Sequence, residues 1–188
     1  MRLLLALVCL LLLAASPGRG QALPVDNQGK VSFYEVVPAD SLRAGTLYAH
    51  AKHWLHRYGY VLSTADSVAG RLIATQALAM YDRGYLTKKL HGKVRYRLTL
   101  EVKDSRYRLQ FTDFVFDYYH EDRAYRLVPT GKAKPLEDSL AAGWQKLWQN
   151  HRHDTLLGIT TLQAELKTAM LAAPPPLTHP TPTRSSNW

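Results

Sequence analysis

Residues 92–119 read GKVRYRLTLEVKDSRYRLQFTDFVFDYY, and this stretch decides the fold. Apolar and polar residues alternate on the way in, with Val94, Tyr96, Leu98, Leu100 and Val102 apolar. They alternate again after Asp104-Ser105, at Tyr107, Leu109 and Phe111. A period of two is the signature of a strand with one face buried, so the stretch is two antiparallel strands joined by a two-residue loop. That loop sets Lys103 opposite Arg106, Val102 opposite Tyr107, Leu100 opposite Leu109 and Leu98 opposite Phe111. All apolar residues then share one dry face, and a slip of one residue would expose every one of them.

The wet face carries Arg95, Arg97, Thr99, Glu101 and Lys103 on one strand and Arg106, Arg108 and Gln110 on the other. Glu101 falls opposite Arg108, a cross-strand ion pair that contributes roughly 0.2–1 kcal/mol. Past Phe111 the apolar positions become Phe114, Phe116 and Tyr118, so their parity changes. One extra residue near Thr112-Asp113, a β-bulge, returns them to the dry face and bends the sheet. Asp-Ser is a weak turn signal compared with Asn-Gly. The register therefore rests on the side-chain pattern.

The chain opens with Arg2, an apolar run from Leu3 to Ala15, and small residues up to Gly20-Gln21-Ala22. This is the layout of a secretory signal peptide over residues 1–22, with cleavage expected after Ala22. The apolar run is short for a membrane span, so no transmembrane segment is expected in the mature chain. Cleavage would remove Arg2 and Arg19, taking the formal net charge from +9 to +7, and would also remove Cys9, the single cysteine. Disulfides, thiolate metal sites and cysteine nucleophiles are then excluded. A basic protein in an exported, periplasmic or secreted setting points to an anionic envelope ligand or an acidic protein surface as partner, and the compartment disfavours nucleic acid.

Val31–Val37 reads as a first strand, ended by Pro38, and Asp40 or Ser41 is placed to cap a helix running to about Tyr58. Leu47, Ala51, Trp54, Leu55 and Tyr58 form one apolar stripe on that helix. Tyr60–Asp66 and Arg71–Met80 read as two strands around a turn at Ser67–Gly70, and Tyr81–His91 as a basic connector. After the hairpin, residues 120–134 are polar and turn-rich, with a short strand at Tyr125–Val128. Leu136, Leu140, Trp144, Leu147 and Trp148 have helical spacing, with Pro135 at a first helical position. A further helix is expected from Asp154-Thr155, with Ile159, Leu162, Leu166 and Met170 inward. Residues 23–173 thus form one domain, and the proline-rich residues 174–188 are expected to be a disordered tail.

Several of these segments, Gly29-Lys30-Val31 leading to Glu35-Val36-Val37, Leu47-Tyr48 with Ala51 and Trp54-Leu55, Gly70-Arg71-Leu72-Ile73, and above all Asp104-Ser105-Arg106-Tyr107-Arg108, resemble a bacterial exported family of unknown function. That family is described as having a fold like that of TATA-binding protein, and the resemblance runs from about Pro24 to Met170. Ser105 stands where glycine is common in the family. The resemblance implies an α+β fold, a curved antiparallel sheet with helices packed on one face, here in the order β-α-β-β-β-β-α-α. It implies no catalytic residue and no cofactor, and a shared shape does not make a DNA-binding protein.

Chemistry-bearing motifs are sparse. There is no nucleophile elbow, phosphate-binding glycine loop or HExxH motif, so catalysis is the secondary expectation. His50, His53 and His56 lie three residues apart on the first helix, a spacing that does not converge on one metal. Asp113, Asp117, His120, Glu121 and Asp122 have better ligand chemistry, and Asp117, His120, Glu121 and Asp122 are the candidates for a cation site or a metal-dependent hydrolase. His151, His153 and Asp154 fall between two expected helices, where Asp154 more simply caps the second. The wet face of the hairpin is the main candidate. There Arg95, Arg97 and Arg106, together with Lys103, have no assigned acidic neighbour, and guanidinium suits carboxylate, sulfate or phosphate. The first expectation is a non-catalytic binding module that uses this open basic face.

Overall fold

In the computed structural model, residues 22–83, 88–140 and 143–172 are described. The expected signal peptide, apart from Ala22, and the expected tail lie outside them. The hairpin is built as its pattern dictates. Strand β4 (Lys88–Lys103) pairs with β5 (Arg106–Glu121) through Lys103↔Arg106, Val102↔Tyr107, Leu100↔Leu109 and Leu98↔Phe111. Leu98, Leu100, Leu109 and Phe111 are each no more than 1% exposed, which makes the dry face the floor of the core. The bulge falls where the parity changes: Arg97 pairs with Thr112 but Arg95 with Val115, and Asp113 sits at φ 57°. Aspartate tolerates this left-handed backbone better than most residues. Phe114 and Phe116 return to the core beyond it.

The loop residue Ser105 also takes a left-handed φ of 61°. Its backbone is held from both sides, because Ser105 N–H donates to Leu42 O at 2.9 Å and Ala39 N–H donates to Ser105 O at 2.9 Å. The tertiary contact supplies what the weak turn dipeptide lacks.

Around the hairpin lie β1 (Phe33–Pro38), α1 (Ala44–Arg57), β2 (Val61–Asp66) and β3 (Arg71–Arg83), then β6 (Leu127–Pro135) and α2 (Gln145–Leu171). The strands form one antiparallel sheet in the order β1-β5-β4-β3-β2, with β6 also on β5. β1 covers the Arg106–Phe111 part of β5 and β6 the Val115–Glu121 part, so the two share one edge on either side of the bulge. Both helices contact the sheet. They lay Leu47, Ala51, Trp54 and Leu55 from α1, and Trp148, Ile159, Leu166 and Met170 from α2, into the same core as the dry face.

Five sequence expectations are corrected. The expected α1 cap at Asp40 or Ser41 is absent: Arg43 occupies the cap without a side-chain bond, and Asp104 Oδ1 accepts from Ala44 N–H at 2.7 Å instead. A carboxylate from the hairpin turn satisfies a free helix donor across space. Most of the connector Tyr81–His91 is strand, since β3 runs to 83 and β4 starts at 88. Of the short strand expected at Tyr125–Val128, Tyr125 and Arg126 lie in a turn closed on Asp122, and Leu127 opens a nine-residue β6, the sixth strand among the described residues. Pro135 ends that strand opposite Val115, so no helix begins there, and Leu140 and Trp144 are exposed. Finally, the two C-terminal helices are one 27-residue helix. Its stripe runs Trp148, His151, Thr155, Ile159, Leu162, Leu166, Met170, and the two polar members hid its continuity. Thr155 is satisfied locally, Oγ1 donating to His151 O at 2.8 Å.

Candidate functional site

On the wet face the register sets Pro38↔Arg106↔Lys103 in one row and Val36↔Arg108↔Glu101↔Arg71 in the next. Glu101 pairs with Arg108, as the sequence pattern required, and with Arg71 Nε at 3.5 Å. Lys103 and Arg106 are exposed, and among the described residues neither has an ion-pair partner. Beside them β1 presents Tyr34 and Val36, 56% and 50% exposed. Tyr34, Val36, Lys103, Arg106 and Arg108 line a shallow depression of about 250 Å³, with Glu101 and Tyr107 completing it. It offers two free cations at one end and an aromatic ring and an aliphatic patch along its side.

The other two arginines differ from expectation. Arg95 is paired with Asp117, its Nη2 donating to Oδ1 at 3.0 Å, and Arg97 Nη1 is 2.8 Å from Asp113 Oδ2. The bulge is the reason. Beyond it Val115, not an acid, faces Arg95, which makes Asp117 its diagonal neighbour. Diagonal cross-strand pairs lie within reach of long side chains. The hairpin's acids therefore neutralise its middle and leave the turn end basic.

The same pairs dismantle the acidic cluster. Asp113 and Asp117 hold arginines, Glu121 Oε2 accepts from Lys89 Nζ at 3.0 Å, and Asp122 accepts from Arg126 Nε at 2.9 Å. Asp122 also closes its own turn, its Oδ1 accepting from Arg126 and Ala124 N–H, and these donors hold its carboxyl below the usual range. His120 is exposed. Among the described residues no group of three or more acids and histidines is arranged to hold a metal. The helical histidines do not converge either: His50 Nδ1 lies 3.0 Å from Met170 O, while His53 and His56 are exposed.

One constellation escaped the sequence reading. A second bulge, where Met80↔Gly92 is followed by Tyr81↔Leu90, leaves His91 unpaired in β4. A bulge re-aims its side chain. His91 Nδ1 meets His151 Nε2 at 2.7 Å, and the two rings stack at 5.0 Å and 28°. His151 also stacks on Phe116 at 5.0 Å and 16°. Gly92 makes room, because a Cβ there would run into the Phe116 ring. Burial lowers the pKa of both imidazoles, that of His151 to about 4, with the neighbouring His91 adding to the effect. Both are neutral at physiological pH. His151 at a stripe position of α2 was the available signal, but its partner depends on a bulge that no pattern announces.

The architecture of the described residues, an open six-stranded antiparallel sheet with two helices, is that of the TBP-like folds. A TBP-like protein from Parabacteroides distasonis ATCC 8503 superposes with a TM-score of 0.60 at 18% identity, over 82% of this chain and all of that one. A DUF4468 family protein from Bacteroides ovatus ATCC 8483 superposes with a TM-score of 0.62 at 14% identity, over 80% of this chain and 91% of that one. At such identities the likeness is one of fold. Residues 33–117 match the family model described as "Domain of unknown function (DUF4468) with TBP-like fold". The resemblance seen in the sequence is borne out, with the model match confined to β1 through most of β5. Comparison with curated proteins finds no match.

Proposed function

We propose that the protein is an exported, non-catalytic binding module that takes an anionic ligand group at the turn end of its open sheet. The observation that carries this reading is the pair of facing cations Lys103 and Arg106, free of ion pairs among the described residues and set beside the exposed Tyr34 and Val36. A planar guanidinium with an adjacent ammonium suits a sulfate, phosphate or carboxylate, and the ring and aliphatic patch would hold the group that bears it. Arg106 thus carries the site, while Arg95 and Arg97 are tied to acids on its flank. Export rests on the signal-like residues 1–22. Among the described residues no helix is long and apolar enough to cross a membrane. Nothing in the arrangement of Asp117, His120, Glu121 and Asp122 supports the metal-dependent hydrolase.

The test is salt elution from a sulfated polysaccharide resin. Lys103→Gln/Arg106→Gln should elute at clearly lower salt than Lys52→Gln/Arg57→Gln, which removes the same charge from exposed positions on α1. Arg95→Gln/Arg97→Gln should fall between them. Equal elution of all three variants would mean that retention follows net charge alone and that the turn end is only solvated.

A further inference from the structure

The histidine pair forms one wall of a second depression, of about 230 Å³, lined by His91, Tyr118, Gly143, Trp144, Leu147, Trp148 and His151. We propose that this depression binds a single neutral aromatic ring carrying an oxygen acceptor, a ligand of the phenol type, with Trp144 as its outer wall and the Nε2–H of His91 as its hydrogen-bond donor.

The volume suits one ring, being smaller than the roughly 300–1,000 Å³ of sites for larger organic ligands. The walls choose the ring's character. Trp144, Trp148 and Tyr118 supply aromatic faces, and Trp144 is 66% exposed at the helix cap, where nothing in the fold's packing asks for an indole. Aromatic rings gain from offset or edge contacts beyond the area they bury. Among the described residues no lysine, arginine, aspartate or glutamate lines the depression, so a charged ligand would be desolvated there without a partner. The charges that reach the imidazoles, Asp82 from β3 and Asp154 from α2, are negative and oppose an anion. A hexose brings several hydroxyls, and these walls hold too few polar atoms to satisfy them. Trp148 Nε1 is already committed to Asp138 O at 2.7 Å.

The tautomer sets the polarity of the hydrogen bond. His151 is 1% exposed, and its Nδ1 is sealed without a partner among the described residues. If His91 donated from Nδ1, His151 would have to carry its proton on Nδ1, as a buried N–H with no acceptor. Orphaned buried N–H groups are the rarer and costlier fault. The pair is therefore His151 Nε2–H donating to His91 Nδ1, which puts the His91 proton on Nε2, outside the pair. A ligand meeting His91 must then accept, so a phenol oxygen fits and an indole N–H does not.

The experiment is calorimetric and saturation-transfer NMR titration of the full-length protein at neutral pH with p-cresol, toluene, indole and N-acetylglucosamine. We expect p-cresol to saturate and to bind about fivefold tighter than toluene or indole, the share of one net hydrogen bond. Trp144→Ala, at an exposed position, should keep the fold and weaken p-cresol. His91→Phe retains a ring in the stack and should erase the preference of p-cresol over toluene. If that variant does not fold, the wild-type ratio of the two ligands decides the point. Absence of saturable p-cresol binding, equal affinity for toluene, tighter binding of N-acetylglucosamine, or indifference to Trp144→Ala would each overturn the proposal.

Discussion

Acid should destabilise this fold through one histidine. His151 lies on the inner stripe of α2, stacked on Phe116 and hydrogen-bonded to a neutral His91. Burial is the main cause of its lowered pKa, the His91 ring adds to it, and Asp154 and Asp82 oppose it. The native pKa is about 4, against the ordinary imidazole value of 6.5. Between those values the unfolded chain binds more protons than the native one, so stability falls as pH falls and is unaffected above about 7. Going from pH 7 to pH 4 should therefore remove about 3 kcal/mol through this residue alone. The assay is urea denaturation at a series of pH values for the wild type and His151→Phe, whose ring keeps the stack but cannot titrate. The wild type should lose up to about 3 kcal/mol more than the variant over this interval, the carboxylate effects being shared and His91, which is coupled to His151, titrating in both. Parallel curves would show that His151 does not enter the native core uncharged.

Two further outcomes test the fold. Leu100 is fully buried and Thr99 half-buried on the opposite face, so Leu100→Asp should cost about 4 kcal/mol or more and Thr99→Asp about 1 kcal/mol or less. Comparable urea midpoints would refute the assignment of faces. Asp104→Ala removes the carboxylate that accepts from Ala44 N–H and should cost about 1 kcal/mol. Thermal denaturation with no change in midpoint would show that water replaces that cap.

Much of the site was written in the hairpin. The alternation from Val94 to Phe111 determined the faces, the register and the Glu101–Arg108 pair, because a period of two leaves one solution that buries every apolar residue. The parity change after Phe111 located the bulge at Asp113. Lys103 facing Arg106 followed from the same register. What the pattern could not deliver was any distance beyond a direct cross-strand neighbour. Arg95–Asp117 and Arg97–Asp113 arise from the offset that the bulge introduces, so two arginines that look free in the sequence are neutralised in the fold.

The helices show the same division. The stripe of α1 was legible, but its cap was not, since the donor's partner Asp104 lies sixty residues away in the chain. The single α2 was masked by His151 and Thr155, polar residues on a buried stripe that local pattern reads as a break. Only the tertiary structure accounts for them, one bonded to its own helix and the other to a residue turned inward by a bulge. Sequence periodicity reports which side of an element must leave water. Which polar groups can follow is decided by partners brought from elsewhere in the chain, and those exist only once the sheet and helices have closed.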